Sequence, residues 1–305
     1  MEESAPGPEE TLITKRQAWW IAIRPFSYPA SIVPVLVGTA VAADERLRPG
    51  LFILALLGSV LIQAGTNLAT DFFDFAHGVQ PKATLGGVIR RGLISAAAVH
   101  RAAFAAFGAG AVCGLVIVAF TGWPILAVGL ASVLAGYFYT AAPFSYGRRG
   151  LGEVFVFVFM GLIMVMASYY VQVERLGWQA FLASLPVALL VADILHANNL
   201  RDIENDRARG KVTIASVIAR PAADYVYYLL TFGSFFAVAA PVVAGATSAT
   251  TLVVLLALPF ALSAVGVLRR EHEAAALNLL VRGTARLHAA FGILLAVGYL
   301  LATAT

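Results

Sequence analysis

Two clusters of acidic and amide side chains lie where long apolar stretches of this sequence end. The first cluster contains Asn67, Asp71 and Asp74, separated by four and then three residues. Such spacing places all three side chains on one face of a helix. Carboxylates gathered in this way repel one another unless cations lie between them. The pattern therefore predicts a cation site.

The second cluster repeats this arrangement at the end of another apolar stretch. Asn198, Asp202 and Asp206 recur every four residues, so they also share a helical face. The spacing Asn-x-x-x-Asp thus occurs twice, as Asn67/Asp71 and as Asn198/Asp202. This echo indicates a weak internal duplication with two halves that face each other.

The chemistry of the clustered groups favours a particular cation. Carboxylate and amide oxygens are hard ligands that suit Mg²⁺, which often completes its coordination with substrate phosphates. We therefore predict Mg²⁺ as the cofactor. The predicted metal ligands are Asn67, Asp71, Asp74, Asn198, Asp202 and Asp206.

Basic side chains follow both clusters along the chain. Arg binds phosphate oxygens as a fork and Lys binds them as a point charge, so acid and base together predict a metal–diphosphate site. The alternative is two solvated helix ends whose ion pairs contribute little, but two clusters of matching spacing favour the site. The predicted diphosphate-binding residues are Arg148, Arg201, Arg207 and Lys211, with Lys82, Arg90 and Arg91 close by in sequence.

The composition indicates which kind of element positions these groups. Of the 305 residues, 60% are hydrophobic and 12% are charged, about half the charged fraction of an average soluble domain. So little charge cannot cover a water-facing surface, which excludes a soluble enzyme, a disordered chain and a disulfide scaffold. We therefore predict an all-α, polytopic membrane protein embedded in a lipid bilayer.

Nine apolar stretches are long enough to cross a bilayer as helices, which takes about 20 residues each. They belong to a single transmembrane domain, 16–305, that follows an acidic, Pro-rich tail, 1–15, which we predict to be disordered. The nine predicted transmembrane helices are 18–43, 51–74, 96–120, 122–140, 151–173, 178–200, 223–243, 249–267 and 284–303.

The basic residues divide unequally between the two ends of this predicted bundle. Eighteen of the 21 bases lie at the end with the acidic clusters, and three, Arg46, Arg48 and Arg175, lie at the other. The positive-inside rule then places the N-terminus and both clusters in the cytoplasm and the C-terminus outside, with the chain in the plasma membrane. The same rule explains the net charge of +4 without a nucleic acid as partner.

Three segments resemble the UbiA superfamily of intramembrane prenyltransferases, and in particular its MenA branch. The second Asp-rich motif of that branch is similar to NNLRDIENDRARGKVT at 198–213, and the loop after its fourth helix is similar to GYFYTAAPFSYGRRGLGE at 136–153. The stretch after its first motif is similar to LGGVIRRGLIS at 85–95. Two positions depart from the family. This chain has Thr70 where the family often has Asn, and Gln80 where it often has Asp.

The resemblance implies a nine-helix, UbiA-like bundle and Mg²⁺-dependent transfer of a polyprenyl group from a polyprenyl diphosphate to an aromatic acceptor. In the MenA branch this acceptor is 1,4-dihydroxy-2-naphthoate, in menaquinone biosynthesis. Other acceptors stay open, namely 4-hydroxybenzoate, homogentisate or a chlorophyll-type ring. A secondary transporter, which also uses paired intramembrane acids, is the alternative from a different class.

This reaction assigns roles to further side chains. Ionisation of a prenyl diphosphate leaves an allylic cation, which aromatic faces stabilise. For Phe72 and Phe73, ordinary packing is the more common alternative. The aromatic side chains expected near the cation are Tyr139, Tyr146, Phe72 and Phe73. The expected catalytic residues are Asp71, Asp202, Asp206 and Tyr139, and the expected contacts with the acceptor or the prenyl group are Tyr146, Glu153, Asp193 and Asn199.

Overall fold

The computed structural model describes residues 13–78 and 87–304. Most of the predicted tail, together with Gln80 and Lys82, lies outside the described residues. Within them the secondary structure is helical apart from one isolated β-bridge, between Arg149 and Val212. This confirms the predicted all-α class.

Eleven helices follow one another along the described chain. They are α1 (Lys15–Ile23), α2 (Pro29–Ala42), α3 (Pro49–Ala76), α4 (Ala96–Thr121), α5 (Trp123–Phe138), α6 (Gly152–Val173), α7 (Trp178–Ala208), α8 (Ile214–Val217), α9 (Arg220–Val243), α10 (Ala249–Arg270) and α11 (Asn278–Ala302).

The nine predicted spans each correspond to helical structure in this part of the chain. Seven helices, α3, α4, α6, α7, α9, α10 and α11, are long and apolar enough to cross a membrane. The first span is the pair α1 and α2, and the fourth is α5, a shorter apolar helix of 16 residues. The chain is therefore a multi-pass membrane protein.

The first span differs from the prediction because it is bent, by 46°, between α1 and α2. Two prolines, Pro25 and Pro29, lie at the bend and lack the N–H that a continuous helix needs. The residue between α1 and the first proline, Arg24, adopts a left-handed backbone with φ 51°. The bend brings Arg24 into the interior of the bundle, where its side chain is 17% exposed.

Helix α7 is the most buried of the seven long helices and forms the centre of the bundle. Helix α6 approaches it closely at Gly161, where an added Cβ atom would lie only 2.2 Å from the Cβ atom of Ala188. Around this contact α6 is wound as a π-helix over Val156–Ile163. These two helices form one wall of the cavity described below.

The bundle has two ends. One end carries the loops 139–151 and 209–219 and is called the basic end here. At the opposite end, the loop after α2 and the loop after α6 are joined by ion pairs, between Glu45 and Arg175 at 2.6 Å and between Arg48 and Glu174.

Candidate active site

A cavity extends from the basic end into the bundle, between α2, α3, α5, α6 and α7. Members of both acidic clusters and several bases contribute to its lining near the basic end. The charged and amide side chains that line the cavity are Arg24, Asn67, Asp74, Arg148, Asn198, Asn199, Arg201, Asp202, Asp206 and Lys211.

Helix α7 positions the second cluster because its helical structure continues to Ala208, past the end of its apolar part. Asp202 accepts hydrogen bonds from Arg201, at 2.9 Å from Nε and 2.6 Å from Nη2. Asp206 accepts one from Lys211 Nζ at 3.0 Å. Each carboxylate is thus paired with a base, and both pairs line the cavity.

Helix α3 presents a different set of side chains from the one predicted. Thr70 and Asp74 line the cavity together with Asn67, whereas Asp71 does not. The Asp71 carboxylate is fully buried and accepts hydrogen bonds from the backbone N–H groups of Gly87 at 2.7 Å and Val88 at 3.1 Å. The assignment of Asp71 as a metal ligand and catalytic residue therefore stays a prediction.

Pairs of side chains four residues apart line the cavity on both helices, at the predicted positions on α7 and at different positions on α3. Thr70 and Asp74 on α3 line the cavity, as do Asn198 and Asp202 on α7. Asn67 is also at the cavity, but its Nδ2 donates to Ile23 O at 2.9 Å and to Ser27 Oγ at 3.0 Å. Asn67 thereby fastens α3 to the bend between α1 and α2.

Of the four predicted diphosphate-binding residues, Arg148, Arg201 and Lys211 line the cavity. The β-bridge between Arg149 and Val212 joins the loops that carry Arg148 and Lys211. Arg207 does not line the cavity, since it donates to the backbone carbonyl groups of Ser216 at 2.7 Å and Ile218 at 2.9 Å. Its assignment to the diphosphate therefore stays a prediction.

Arg24 lines the cavity and was not predicted as a site residue. Its Nη2 donates to Asp71 Oδ1 at 3.3 Å, and its buried Nε has no hydrogen-bond partner among the described residues. The signal in the sequence is an arginine inside a predicted span and directly before Pro25, because charges within membrane segments are costly and usually functional.

Aromatic side chains form a ladder along one side of the cavity. Tyr139 meets Tyr146 edge to face at 5.4 Å between ring centroids, and Tyr146 stacks on Phe155 at 4.0 Å. Phe155 in turn stacks on Phe159 at 5.6 Å. Burial raises the pKa of the Tyr146 phenol, which therefore stays neutral and donates to Ala135 O. The sequence indicated the two tyrosines but not the two phenylalanines.

Phe72 and Phe73 lie outside the cavity lining. Phe72 stacks on His100 with ring centroids 4.1 Å apart, and Phe73 meets Tyr137 edge to face at 5.5 Å. Both rings therefore pack against neighbouring aromatic side chains, which is the alternative given above for these two residues.

Three of the predicted acceptor contacts belong to polar pairs around α7. Asn199 lines the cavity and donates through Nδ2 to the buried Glu153 at 2.8 Å. Asp193 is fully buried and accepts a hydrogen bond from Thr231 of α9 at 2.5 Å. Neither Glu153 nor Asp193 lines the cavity, so direct contact of either with a substrate stays a prediction.

The donor atoms at the basic end suit a hard cation. Among the described residues, no three His, Cys, Asp or Glu side chains are close enough together to hold a metal ion as they stand. Nevertheless, the carboxylates of Asp74, Asp202 and Asp206, the amide of Asn198 and the hydroxyl of Thr70 line one cavity. They offer only oxygen atoms, which fits Mg²⁺.

Known proteins resemble this chain over most of its length. The UbiA prenyltransferase family model matches residues 31–284. A 1,4-dihydroxy-2-naphthoate octaprenyltransferase of Bacillus subtilis (strain 168) is 32% identical over 310 residues, which cover 99% of both chains. One from Escherichia coli (strain K12) is 32% identical over 241 residues, covering 75% of this chain and 78% of the other.

A solved structure shows the same fold. It is a UbiA homolog from Archaeoglobus fulgidus bound to DMAPP and Mg²⁺, with a TM-score of 0.64 and 15% identity, and the match covers 93% of this chain and 99% of the other. The family match covers most of the sequence and favours an enzyme over the transporter alternative. The chain therefore belongs to the UbiA prenyltransferase family and is an enzyme that transfers prenyl groups.

Proposed function

We propose that this protein transfers a polyprenyl group from a polyprenyl diphosphate to 1,4-dihydroxy-2-naphthoate, as a step of menaquinone biosynthesis. One observation carries the proposal. A single cavity joins a cluster of acids and bases at the basic end to the aromatic ladder deeper in the bundle. The names of the bacterial relatives, which match at 32% identity, support the naphthoate acceptor.

The basic end suits the diphosphate. We assign the metal ligands to Asp74, Asp202 and Asp206, with Asn198 and Thr70 as neutral oxygen donors. Bound Mg²⁺ would neutralise the negative charge that grows on the diphosphate as it leaves.

The bases at the same end act on the diphosphate directly. Lys211 and Arg201 each pair with a carboxylate of α7. Both line the cavity beside Arg148, so a diphosphate placed there would give the three side chains a second anionic partner. Charge-assisted hydrogen bonds of this kind hold the leaving group in place and stabilise the charge that it gains.

The aromatic ladder suits the other end of the prenyl diphosphate. The reacting prenyl carbon becomes cationic when the diphosphate leaves, and the faces of Tyr139, Tyr146 and Phe155 stabilise such a cation. The apolar side chains that α6 contributes to the lining hold water poorly, which protects the cation from capture by water. Because the prenyl chain is itself apolar, a fold inside the bilayer gives it a compatible environment.

We also propose that the basic end faces the cytoplasm of a plasma membrane, with the N-terminus on the same side. The distribution of the 21 bases in the sequence supports this orientation. Substrates that are made in the cytoplasm would then reach the cavity directly.

The proposal is tested with membranes that contain the protein. They are given a polyprenyl diphosphate together with 1,4-dihydroxy-2-naphthoate, 4-hydroxybenzoate, homogentisate or a chlorophyll-type ring, each with Mg²⁺ or with a chelator. We expect product from the naphthoate with Mg²⁺ and none with the chelator. Faster product formation from another acceptor would overturn the naphthoate assignment and leave prenyl transfer intact.

A further inference from the structure

Polar side chains continue along the cavity far below the diphosphate site. Gln63 and Thr66 of α3 line it, as do Ser27 and Ser31 near the start of α2. Thr66 and Gln63 lie 8 and 11 residues before Asp74, which is about 12 Å and 16 Å along a helix axis. At that depth in a membrane a polar group needs a partner. We call Gln63 and Thr66, together with the two serines, the polar strip.

The hydrogen bonds that the Gln63 amide makes within the protein are long. Its Nε2 donates to Ser27 Oγ at 3.4 Å, and its Oε1 accepts from Ser31 Oγ at 3.4 Å. Both distances exceed the usual range of about 2.7–3.2 Å for such bonds. One turn away, Asn67 donates at 2.9 Å and 3.0 Å. The Gln63 side chain therefore keeps hydrogen-bonding capacity for a molecule in the cavity.

Thr66 has free capacity of the complementary kind. Its hydroxyl donates to Ile62 O at 2.9 Å, so its oxygen can still accept a hydrogen bond from another group. The space in front of it is kept open by Gly136 of α5, where an added Cβ atom would lie 2.5 Å from Thr66 Oγ1. Gly136 also lines the cavity.

The wall contributed by α6 is apolar. Phe155, Phe159, Met160 and Met164 line the cavity there. A polyprenyl chain has no hydrogen-bonding groups, so it explains this apolar wall and leaves the polar strip without a function. A planar ring with hydroxyl groups explains both, because its faces are apolar and its edge donates and accepts hydrogen bonds.

We propose that the polar strip binds the aromatic acceptor, with Gln63 and Thr66 hydrogen-bonded to its ring hydroxyl groups and Phe155 and Phe159 packed against its face. This inference rests on the proposed function. The depth agrees with it, since the ring that attacks the prenyl carbon must lie below the diphosphate group. Gln63 and Thr66 would thereby determine which acceptors are used and how the ring is turned.

The test compares two substitutions with a matched control. Gln63→Leu and Thr66→Val each remove hydrogen-bonding atoms from the polar strip. Thr121→Val is the control, because Thr121 of α4 donates to its own helix at Ile117 O, at 2.9 Å, as Thr66 does, but lies outside the cavity lining. The KM values for 1,4-dihydroxy-2-naphthoate and for the polyprenyl diphosphate are measured separately for each variant, with thermal unfolding in detergent as a check of folding.

We expect Gln63→Leu and Thr66→Val each to raise the KM for the naphthoate about tenfold, the effect of losing one hydrogen bond. The KM for the polyprenyl diphosphate stays within about twofold of the wild-type value, and Thr121→Val changes neither constant. As a second measurement, 1-hydroxy-2-naphthoate, which lacks one of the two hydroxyl groups, is used as an inhibitor. The ratio of its inhibition constant to the KM for 1,4-dihydroxy-2-naphthoate should be higher in the wild type than in the Gln63→Leu variant.

Two results would overturn the inference: folded variants whose naphthoate KM is unchanged, or variants in which only the KM for the polyprenyl diphosphate rises. Failure of the proposed function is distinct, because the wild type itself would then leave the naphthoate unmodified. In that case the same variants are measured with the hydroxylated acceptor that the wild type does use, and the same two results decide.

Discussion

The carboxylate of Asp71 accepts a hydrogen bond from the backbone N–H of Gly87 at 2.7 Å and is fully buried. That oxygen, Oδ1, also accepts from Arg24 Nη2 at 3.3 Å, and the other oxygen, Oδ2, accepts from the backbone N–H of Val88 at 3.1 Å. Asp71 thus connects the end of α3 to the chain before α4 and to the bend after α1. Asp74, less than one turn further along, lines the cavity.

The two aspartates are therefore expected to differ when each is changed to asparagine. Asp74→Asn removes a cavity carboxylate, so activity should fall about 100-fold or more and the Mg²⁺ concentration for half-maximal activity should rise. Asp71→Asn keeps the shape but loses a charged acceptor, which should lower the free energy of unfolding by about 2 kcal/mol. Its Mg²⁺ requirement should stay at the wild-type value. Titration of activity with Mg²⁺ and thermal unfolding in detergent separate the two effects; an equal rise in Mg²⁺ requirement for both variants would make Asp71 a ligand.

Lys211 and Arg207 provide a second contrast, between a base at the cavity and a base that holds a loop. Lys211→Met should raise the KM for the polyprenyl diphosphate about tenfold or more, since it removes a charge-assisted hydrogen bond. Arg207→Met should leave that KM unchanged and lower the free energy of unfolding by about 1 kcal/mol, because bonds to Ser216 O and Ile218 O are lost. The same kinetic and unfolding measurements check this, and a raised KM for the polyprenyl diphosphate in Arg207→Met would support its predicted role at the diphosphate.

Aromatic side chains at the cavity and outside it are also expected to differ in their effect on the reaction. Phe155→Leu removes a ring that stacks on Tyr146 at the cavity, so kcat should fall about tenfold if the ring stabilises the cation. Phe72→Leu removes a ring that stacks on His100 outside the cavity, and kcat should change less than about twofold. Single-turnover rates with saturating substrates measure both. Equal losses in the two variants would indicate a general packing effect.

A pH-dependent contribution to stability is expected at the end opposite the site. Hydrogen bonds from Tyr169 and Arg175 hold the pKa of the Glu45 carboxyl below its ordinary value of 4.5. The folded state therefore favours the ionised form, and the resulting stability is present above pH 4.5 and is lost as the pH falls through the lowered value. Glu45→Gln should lower Tm at pH 7 by about 2 °C, as expected for a mostly exposed pair.

The difference in Tm between Glu45→Gln and the wild type should narrow as the pH is lowered below 4.5. Thermal unfolding in detergent over a series of pH values measures it. A difference that stays constant with pH would show that the hydrogen bonds of Glu45 do not depend on its charge.

The sequence predicted the nine spans because each is a long apolar run, and it predicted both clusters because polar residues end two of those runs. It did not predict which face of α3 meets the cavity. Asn67 shares a helical face with Asp71 and equally with Thr70 and Asp74, since spacings of three and four residues are both compatible with a helix. Only the packing of α3 against its neighbours decides between them. The sequence also favours Asp71 over Thr70 as a metal ligand, because carboxylates are the more usual protein ligands of Mg²⁺.

Other features of the structure were not predicted from the sequence because they also depend on how the helices and loops pack. The bend at Arg24 depends on two prolines at the end of an otherwise apolar run, and membrane helices often continue through proline. The roles of Gln63 and Phe159 depend on long-range packing, because each is an ordinary residue of a transmembrane helix until the opposite wall of the cavity is known. Arg207 and Lys211 are four residues apart in sequence, and only the fold of the loop after α7 separates them.

The most direct test of the central claim is mass spectrometry of the lipid quinones made in a host that lacks its own naphthoate prenyltransferase. Wild-type protein should restore prenylated naphthoquinones, and the Asp202→Asn variant, expressed to the same level in the same membranes, should not. Absence of prenylated naphthoquinones with folded wild-type protein, or their full restoration by Asp202→Asn, would contradict the account.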